Sequence, residues 1–398
     1  MSRTDRESSS APRALVYLLL LEFGAGGALY PFFALYLRQI GFSKPQIALT
    51  FLAGAGASVL SPFLWGWIGD RVLALNFLVP LLHLAASAVL FQMTRLEGFL
   101  LVLLAFTVYS GLRVPCFSLV NALCYHNLAD PPGQFGRLRL WGSVGWMLPV
   151  APIYLWHRAA ETSDMTVSIY LAIALELAIV LSAPVLPHTP PPARRAERGS
   201  THYLRDLRRL FSTRGFVHLL AINYLMSSAF SIMFSYSNLR LEEVGVPRQL
   251  IGPALALGVL LELPLFFALK AIIRRLGFPT TLALGAAACL VRQLTFSVGS
   301  HGVTLVCASL LIAPAVVFFL VTSSLAVDSL AAREVRATAQ STVTLVGSGL
   351  GTLSGLLATY YLTEYLDEGM WLPFLIAATT SAAGLALIPW LRKAFGRG

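Results

Sequence analysis

Twelve strongly apolar runs alternate with polar connections along the 398 residues. A helix needs about 20 apolar residues to cross a ~30 Å hydrocarbon core. The runs therefore predict membrane helices at 14–38, 46–69, 73–93, 99–126, 138–157, 166–186, 215–238, 250–270, 279–299, 302–328, 339–362 and 371–391. The first run is too long for a signal-peptide core and carries Glu22 and Pro31 inside it, so it is read as a retained span. The pattern changes most at HTPPPARRAERGSTHYLRDLRRLFSTR, where prolines block a helix and seven arginines hold the segment at a membrane surface. That divides the chain into a disordered tail (1–13), a six-helix bundle (14–187), an Arg-rich linker (188–214), a second six-helix bundle (215–391) and a short tail (392–398). Within the linker, Tyr203, Leu207 and Leu210 share one face of a predicted surface helix.

Composition agrees: 57% hydrophobic and 12% charged residues lie outside the ordinary globular range. Of the 29 Lys and Arg, 21 fall on the tails and even-numbered connections and 6 on the odd-numbered ones, while Arg113 and Arg292 lie within spans. The positive-inside rule then puts both termini in the cytoplasm of a multi-pass protein of the cell (inner) membrane. The net charge of +10 is mostly this asymmetry, and without interleaved aromatic platforms it does not point to nucleic acid. Cys116, Cys124, Cys289 and Cys307 lie in apolar segments with no zinc spacing and read as small core residues. His83, His218 and His301 show no ligand spacing either, so neither metal nor cofactor is expected.

The halves echo one another. WGWIGDRVL follows the second run and KAIIRRLGF the eighth; GRLRLWGSVG opens the fifth and REVRATAQSTVTLVGSG the eleventh. Six plus six helices around a basic linker is the layout of a two-halved carrier with a central site.

Ionisable residues inside spans are expensive and therefore informative. Glu22, Glu176 and Glu262 lie within spans, with Asp328 near the end of the tenth. Glu22 is followed by Gly26 and Tyr30 on one face, and Glu262 is flanked by Gly258 and Phe266, both suited to a cavity wall. A carboxyl that alternately meets and loses an arginine can bind and release a proton. A permanent salt bridge is the alternative for Glu22 and Glu262, and Glu176, among apolar neighbours, reads as structural. Tyr109, Arg113 and Asn121 share a helix face. Arg113 either meets solute or pairs with an acid on another helix. Asn223, Ser227, Ser231, Phe234 and Asn238 form a stripe that either contacts solute or bonds between helices. Gly347, Gly351 and Gly355 form a close-packing seam.

Three motifs carry a resemblance. Gly66-Trp-Ile-Gly-Asp70-Arg71 is similar to the G-x-x-x-D-R loop of the major facilitator superfamily, although its further basic cluster is replaced by Val72-Leu-Ala. Gly27-Ala-Leu-Tyr30-Pro-Phe-Phe and Gly136-Arg137-Leu-Arg139-Leu-Trp141-Gly-Ser-Val-Gly-Trp146 resemble motifs of its lactose permease-like and phenylpropionate transporter-like (nucleoside:proton symporter-like) carriers. The resemblance implies the twelve-helix all-α fold, with Gly66, Asp70 and Arg71 at the inner gate. It also implies that Arg139 and Trp146 hold solute, that Asn121 stands where sugar carriers place a glutamate, and that Arg292 approaches the proton-carrying acid. Where those carriers have a coupling histidine and glutamate, this chain has Pro314 and Val317. Coupling is thus assigned to Glu22, Glu262 and Arg292, and solute contact to Tyr30, Arg113, Asn121, Arg139, Trp146 and Asn223.

The expected function is secondary active transport of a small polar or anionic organic solute by alternating access, as a proton symporter and a monomer among membrane lipids. An efflux or uniport carrier is the alternative within transport. A polytopic membrane enzyme is less favoured, because no catalytic cluster is visible.

Overall fold

The computed structural model describes residues 3–191, 208, 210–213, 215–331, 335–366 and 369–395, with backbone alone at 3–12, 131–133, 136–137, 337 and 393–394. The described chain is helical and divides into two compact units, Met1–Arg195 and Ala196–Gly398. Most of the linker, including Tyr203 and Leu207, lies outside the described residues, as does the end of the C-terminal tail.

The first unit contains α1 (Arg3–Gln39), α2 (Lys44–Arg71), α3 (Leu75–Met93), α4 (Phe99–Asn127), α5 (Pro131–Met147), α6 (Val150–Ala159) and α7 (Thr166–Leu181). The second contains α8 (Phe216–Glu243), α9 (Arg248–Val298), α10 (Gly302–Leu330), α11 (Thr338–Tyr365) and α12 (Trp371–Phe395). One difference from the sequence reading has a local cause. The predicted fifth helix breaks into α5 and α6 at a turn containing Pro149, whose ring cannot donate to the helical ladder. The predicted eighth and ninth helices, labelled together as α9, are two helices that meet at a kink at Gly277, where φ is 76° and ψ is 167°, within the connection the sequence places between them. In addition, α1 begins at Arg3, within the segment expected to be disordered, and Cys307 is exposed rather than in the core.

A turn motif recurs in both units. RQIGFSK links α1 to α2 and EEVGVPR links α8 to α9, with φ of 93° at Gly41 and 83° at Gly245. Left-handed backbone suits glycine at both turns. Just before each glycine, a side-chain oxygen receives a distant backbone amide: Gln39 Oε1 takes Met165 N at 2.8 Å, and Glu243 Oε2 takes Met370 N at 3.0 Å.

Glycines also bring helices together at the backbone in each unit. A Cβ at Gly27 would overlap the Trp146 carbonyl, and one at Gly145 would overlap that of Leu20, so α1 and α5 touch directly. In the second unit, Gly351 and Gly355 of α11 stand in the same relation to the Tyr224 and Ser228 carbonyls of α8. The helix motifs of the sequence are thus first of all packing motifs, and the α5 seam aims Trp146 at α1.

Candidate functional site

Four helices of the first unit each deliver one ionisable side chain to a common point: Glu22 on α1, His83 on α3, Arg113 on α4 and Glu176 on α7, all with 0% exposure. Arg113 Nη1 donates to Glu22 Oε1 and Nη2 to the Glu22 backbone carbonyl, each at 2.5 Å. Arg113 Nε stands 3.3 Å from Glu176 Oε1, off the hydrogen-bonding line. The Tyr109 hydroxyl donates to that same oxygen at 3.0 Å. His83 Nε2 lies 2.8 Å from Glu22 Oε2, again in an ion-pair contact rather than a formed hydrogen bond.

An isolated guanidinium in a bilayer costs from ~3 to over ~10 kcal/mol, a cost that an acid beside Arg113 offsets. Of the two readings of Arg113, the salt bridge is the arrangement present. The residue does not reach solute here, because Glu22 occupies both terminal amino groups. Glu22 likewise faces protein rather than a cavity. The sequence reading missed His83 and Glu176 as members of this cluster. Each is the one histidine or charged residue within its span, and that isolation was the available signal.

Beside the cluster lies a half-buried aromatic wall. Arg113 sits 4.6 Å above the Phe117 ring, Phe117 packs 5.1 Å from Phe23, and the Arg139 guanidinium lies 3.9 Å from the Phe23 centroid. Trp146 stacks on Tyr30 with centroids 6.2 Å apart and planes 8° from parallel. Asn121 is half-buried on α4, and neither its amide oxygen nor the Tyr30 hydroxyl has a hydrogen-bond partner among the described residues. The structure therefore brings Tyr30, Arg139 and Trp146 to one wall next to the charge cluster.

The second unit is different. Arg292 on α9 is also fully buried and lies 4.1 Å above the Phe296 ring. Its Nη2 donates to Ser237 Oγ at 2.9 Å, while Nε and Nη1 have no acceptor among the described residues. Among the described residues no carboxylate stands within ion-pair distance of it. The expected approach of Arg292 to an acid is thus not made in this arrangement. Glu262 is buried, but Gly258 one turn away packs against Ile312 and the Ser309 carbonyl of α10, so that face is a helix contact and not a cavity wall.

Asn223 is engaged by protein instead of solute: its amide donates to the Leu219 carbonyl at 2.8 Å and accepts from Ser323 at 2.8 Å. Its stripe on α8 serves as the bed for the Gly347, Gly351 and Gly355 seam of α11.

At the end of α2, Asp70 lines a cavity of about 220 Å³ together with Gly66, Ser118 and His126. Arg71 lies 6.0 Å from the Trp67 ring. Gly66 has open space where a Cβ would project. Close packing at this end of α2 is made by Gly69, which abuts Leu75 and Leu78.

The chain matches the MFS_1 like family over residues 13–369. It is 27% identical over 354 residues to YegT of Escherichia coli K12, a candidate nucleoside transporter, covering 86% of this chain and 82% of that protein. The maltose permease of Geobacillus stearothermophilus is 26% identical, with 90% of each chain covered. Among solved structures, a point mutant of the nucleoside transporter NupG superposes with a TM-score of 0.84 at 19% identity, covering 96% of this chain and 99% of that one. With its membrane-length helices and this match across most of its length, the chain belongs to the MFS_1 like family of membrane carriers and is a secondary transporter, not an enzyme.

Proposed function

We propose that this protein carries a nucleoside across the cell membrane together with a proton. The observation that carries this reading is the half-buried wall of Tyr30, Trp146, Phe23 and Phe117, edged by Arg139 and Asn121, directly beside a buried cluster of two acids, an arginine and a histidine. A planar base stacks on aromatic rings, while its heteroatoms and the ribose hydroxyls need amide, guanidinium and phenol partners. Relatives named for nucleosides favour this class within the broader set of small polar solutes. The adjoining acids provide groups that can exchange a proton as the carrier changes state.

In this reading the two six-helix halves, 14–187 and 215–391, alternate access, both termini are cytoplasmic, and the carrier works as a monomer in the inner membrane. Glu22, Glu262 and Arg292 belong to the coupling machinery, and Gly66, Asp70 and Arg71 to the inner gate. The test is uptake of radiolabelled nucleosides into proteoliposomes with and without an inward proton gradient, using maltose and a nucleoside monophosphate as competitors. Gradient-stimulated, saturable nucleoside uptake that neither competitor blocks is expected. Saturable uptake of maltose without nucleoside uptake would overturn the substrate assignment.

A further inference from the structure

We infer that Glu176 on α7, rather than Glu22, holds the exchangeable proton of the first unit, and that Glu22 is the fixed counter-ion of Arg113. The inference rests on the proton-coupled reading above and assigns the proton to a particular atom set. It reverses the roles that the helix faces of the two residues suggest in the sequence.

The argument begins with a charge count. Glu22, Glu176, Arg113 and His83 are fully buried and linked in a chain of contacts, His83 to Glu22, Glu22 to Arg113 and Arg113 to Glu176. With both acids ionised and the imidazole neutral, the cluster carries one net negative charge; one added proton makes it neutral. A low-dielectric interior favours the neutral count, so the cluster holds one proton in this arrangement and can release it when its surroundings change.

The contacts then decide where that proton resides. Glu22 receives the charge-assisted bond from Arg113 Nη1 at 2.5 Å, and its other oxygen lies 2.8 Å from His83 Nε2. Neutralising Glu22 would weaken both contacts at once. Glu176 receives only the off-line Arg113 Nε contact at 3.3 Å and a neutral phenol bond from Tyr109, and its Oε2 has no partner. Its negative charge is the less compensated of the two. Protonating His83 instead would put a second cation beside Arg113 and leave Nδ1–H, for which no acceptor is present, as a charged unsatisfied donor. A neutral carboxyl with one unpaired hydroxyl is the less costly state.

Among the described residues no other group facing Glu176 competes for this role. Toward it, α1 presents Glu22 and Tyr30 and α4 presents Tyr109, Arg113 and Cys116, while His83 of α3 reaches the cluster through Glu22. The phenols and the thiol are neutral when protonated and do not alter the count. When Glu176 releases its proton, the cluster becomes anionic and Arg113 must divide its attraction between α1 and α7. This links proton loss to the helix contacts beside the aromatic wall.

The test is a pH-difference infrared spectrum of the purified protein, without solute or gradient, on wild type, E176Q, E22D and E262Q. E22D keeps an acid opposite Arg113, so it tests Glu22 without stranding the arginine. Among the protonated-carboxyl bands that E262Q leaves in place, one that titrates in wild type and E22D and is lost in E176Q is expected. In proteoliposomes, E176Q should retain solute counterflow while losing gradient-driven accumulation by at least about tenfold. A band that survives in E176Q, or that shifts in E22D as the titrating group itself, overturns the assignment. A band lost in E176Q from a wild type that shows no gradient-driven uptake would remove proton coupling while leaving the proton site standing.

Discussion

Each unit buries one arginine completely and stacks it on the phenylalanine four residues further along its helix, Arg113 on Phe117 and Arg292 on Phe296. There the likeness ends. Arg113 has two carboxylates and a histidine in its cluster, whereas Arg292 has a serine hydroxyl and two unpartnered N–H directions. The ring stack is common to both, so the difference lies in the acids: Glu22 and Glu176 make the first arginine part of the framework. The second has only the Ser237 hydroxyl and the Phe296 ring among the described residues, and two of its N–H-bearing nitrogens lack an acceptor there.

The comparison can be broken by removing each arginine. Arg113→Gln strands the buried Glu22 carboxylate and should destabilise the protein by about 3–5 kcal/mol, seen as loss of monodisperse protein in detergent and a lowered unfolding temperature. Arg292→Gln loses no ion pair and should stay within about 1 kcal/mol of wild type while impairing transport. Equal destabilisation by the two would end the distinction.

The glycine seams should behave alike in both units, because each is a backbone contact. Gly27→Val and Gly351→Val should each cost roughly 1–3 kcal/mol through overpacking, measurable by thermal unfolding. A large effect in one unit alone would show that the repeat is not mechanical. Next in size, Trp146→Ala should weaken solute affinity about tenfold, in line with roughly 1–3 kcal/mol per stacked base, and leave folding nearly unchanged. Loss of stability in place of affinity would make Trp146 a packing residue only.

The smallest effect concerns the clasp on α1. At Asp164 burial pushes the carboxyl pKa up, but hydrogen bonds from Gln39 and Thr166 outweigh it and hold the value below the ordinary 3.8. A lowered folded value adds stability that is fully present above the ordinary carboxylate range and disappears as pH falls through the lowered one. Asp164→Asn should therefore cost about 0.2–1 kcal/mol near neutral pH, and the difference from wild type should shrink in acid. Unfolding curves across pH check this.

Much of the fold was legible in the sequence because bilayer crossing imposes one length and one polarity on every helix. The family motifs pointed to Trp146 and Arg139, which share a wall because the adjacent glycines set their neighbours. Gly277 falls in the polar connection that hydropathy places between the eighth and ninth runs, whereas Pro149 marks a break that hydropathy alone could not place, since it lies inside an apolar run. The charge cluster was only half legible. Glu22 and Arg113 announce themselves as ionisable residues in apolar runs, but the neighbours of Glu176 along its own helix are all apolar. Its partners come from α4, and periodicity within one helix says nothing about a side chain three helices away in sequence. Asn223 illustrates the reverse error, a polar stripe that resembles a solute surface yet lies beneath the glycine seam of α11.

The central claim, that a proton held in the first unit drives nucleoside movement, is tested most directly by nucleoside accumulation in proteoliposomes under an imposed proton gradient, wild type against E176Q. The account predicts accumulation above equilibrium in wild type, and in E176Q exchange that continues but only equilibrates the solute. Undiminished accumulation in E176Q would contradict it.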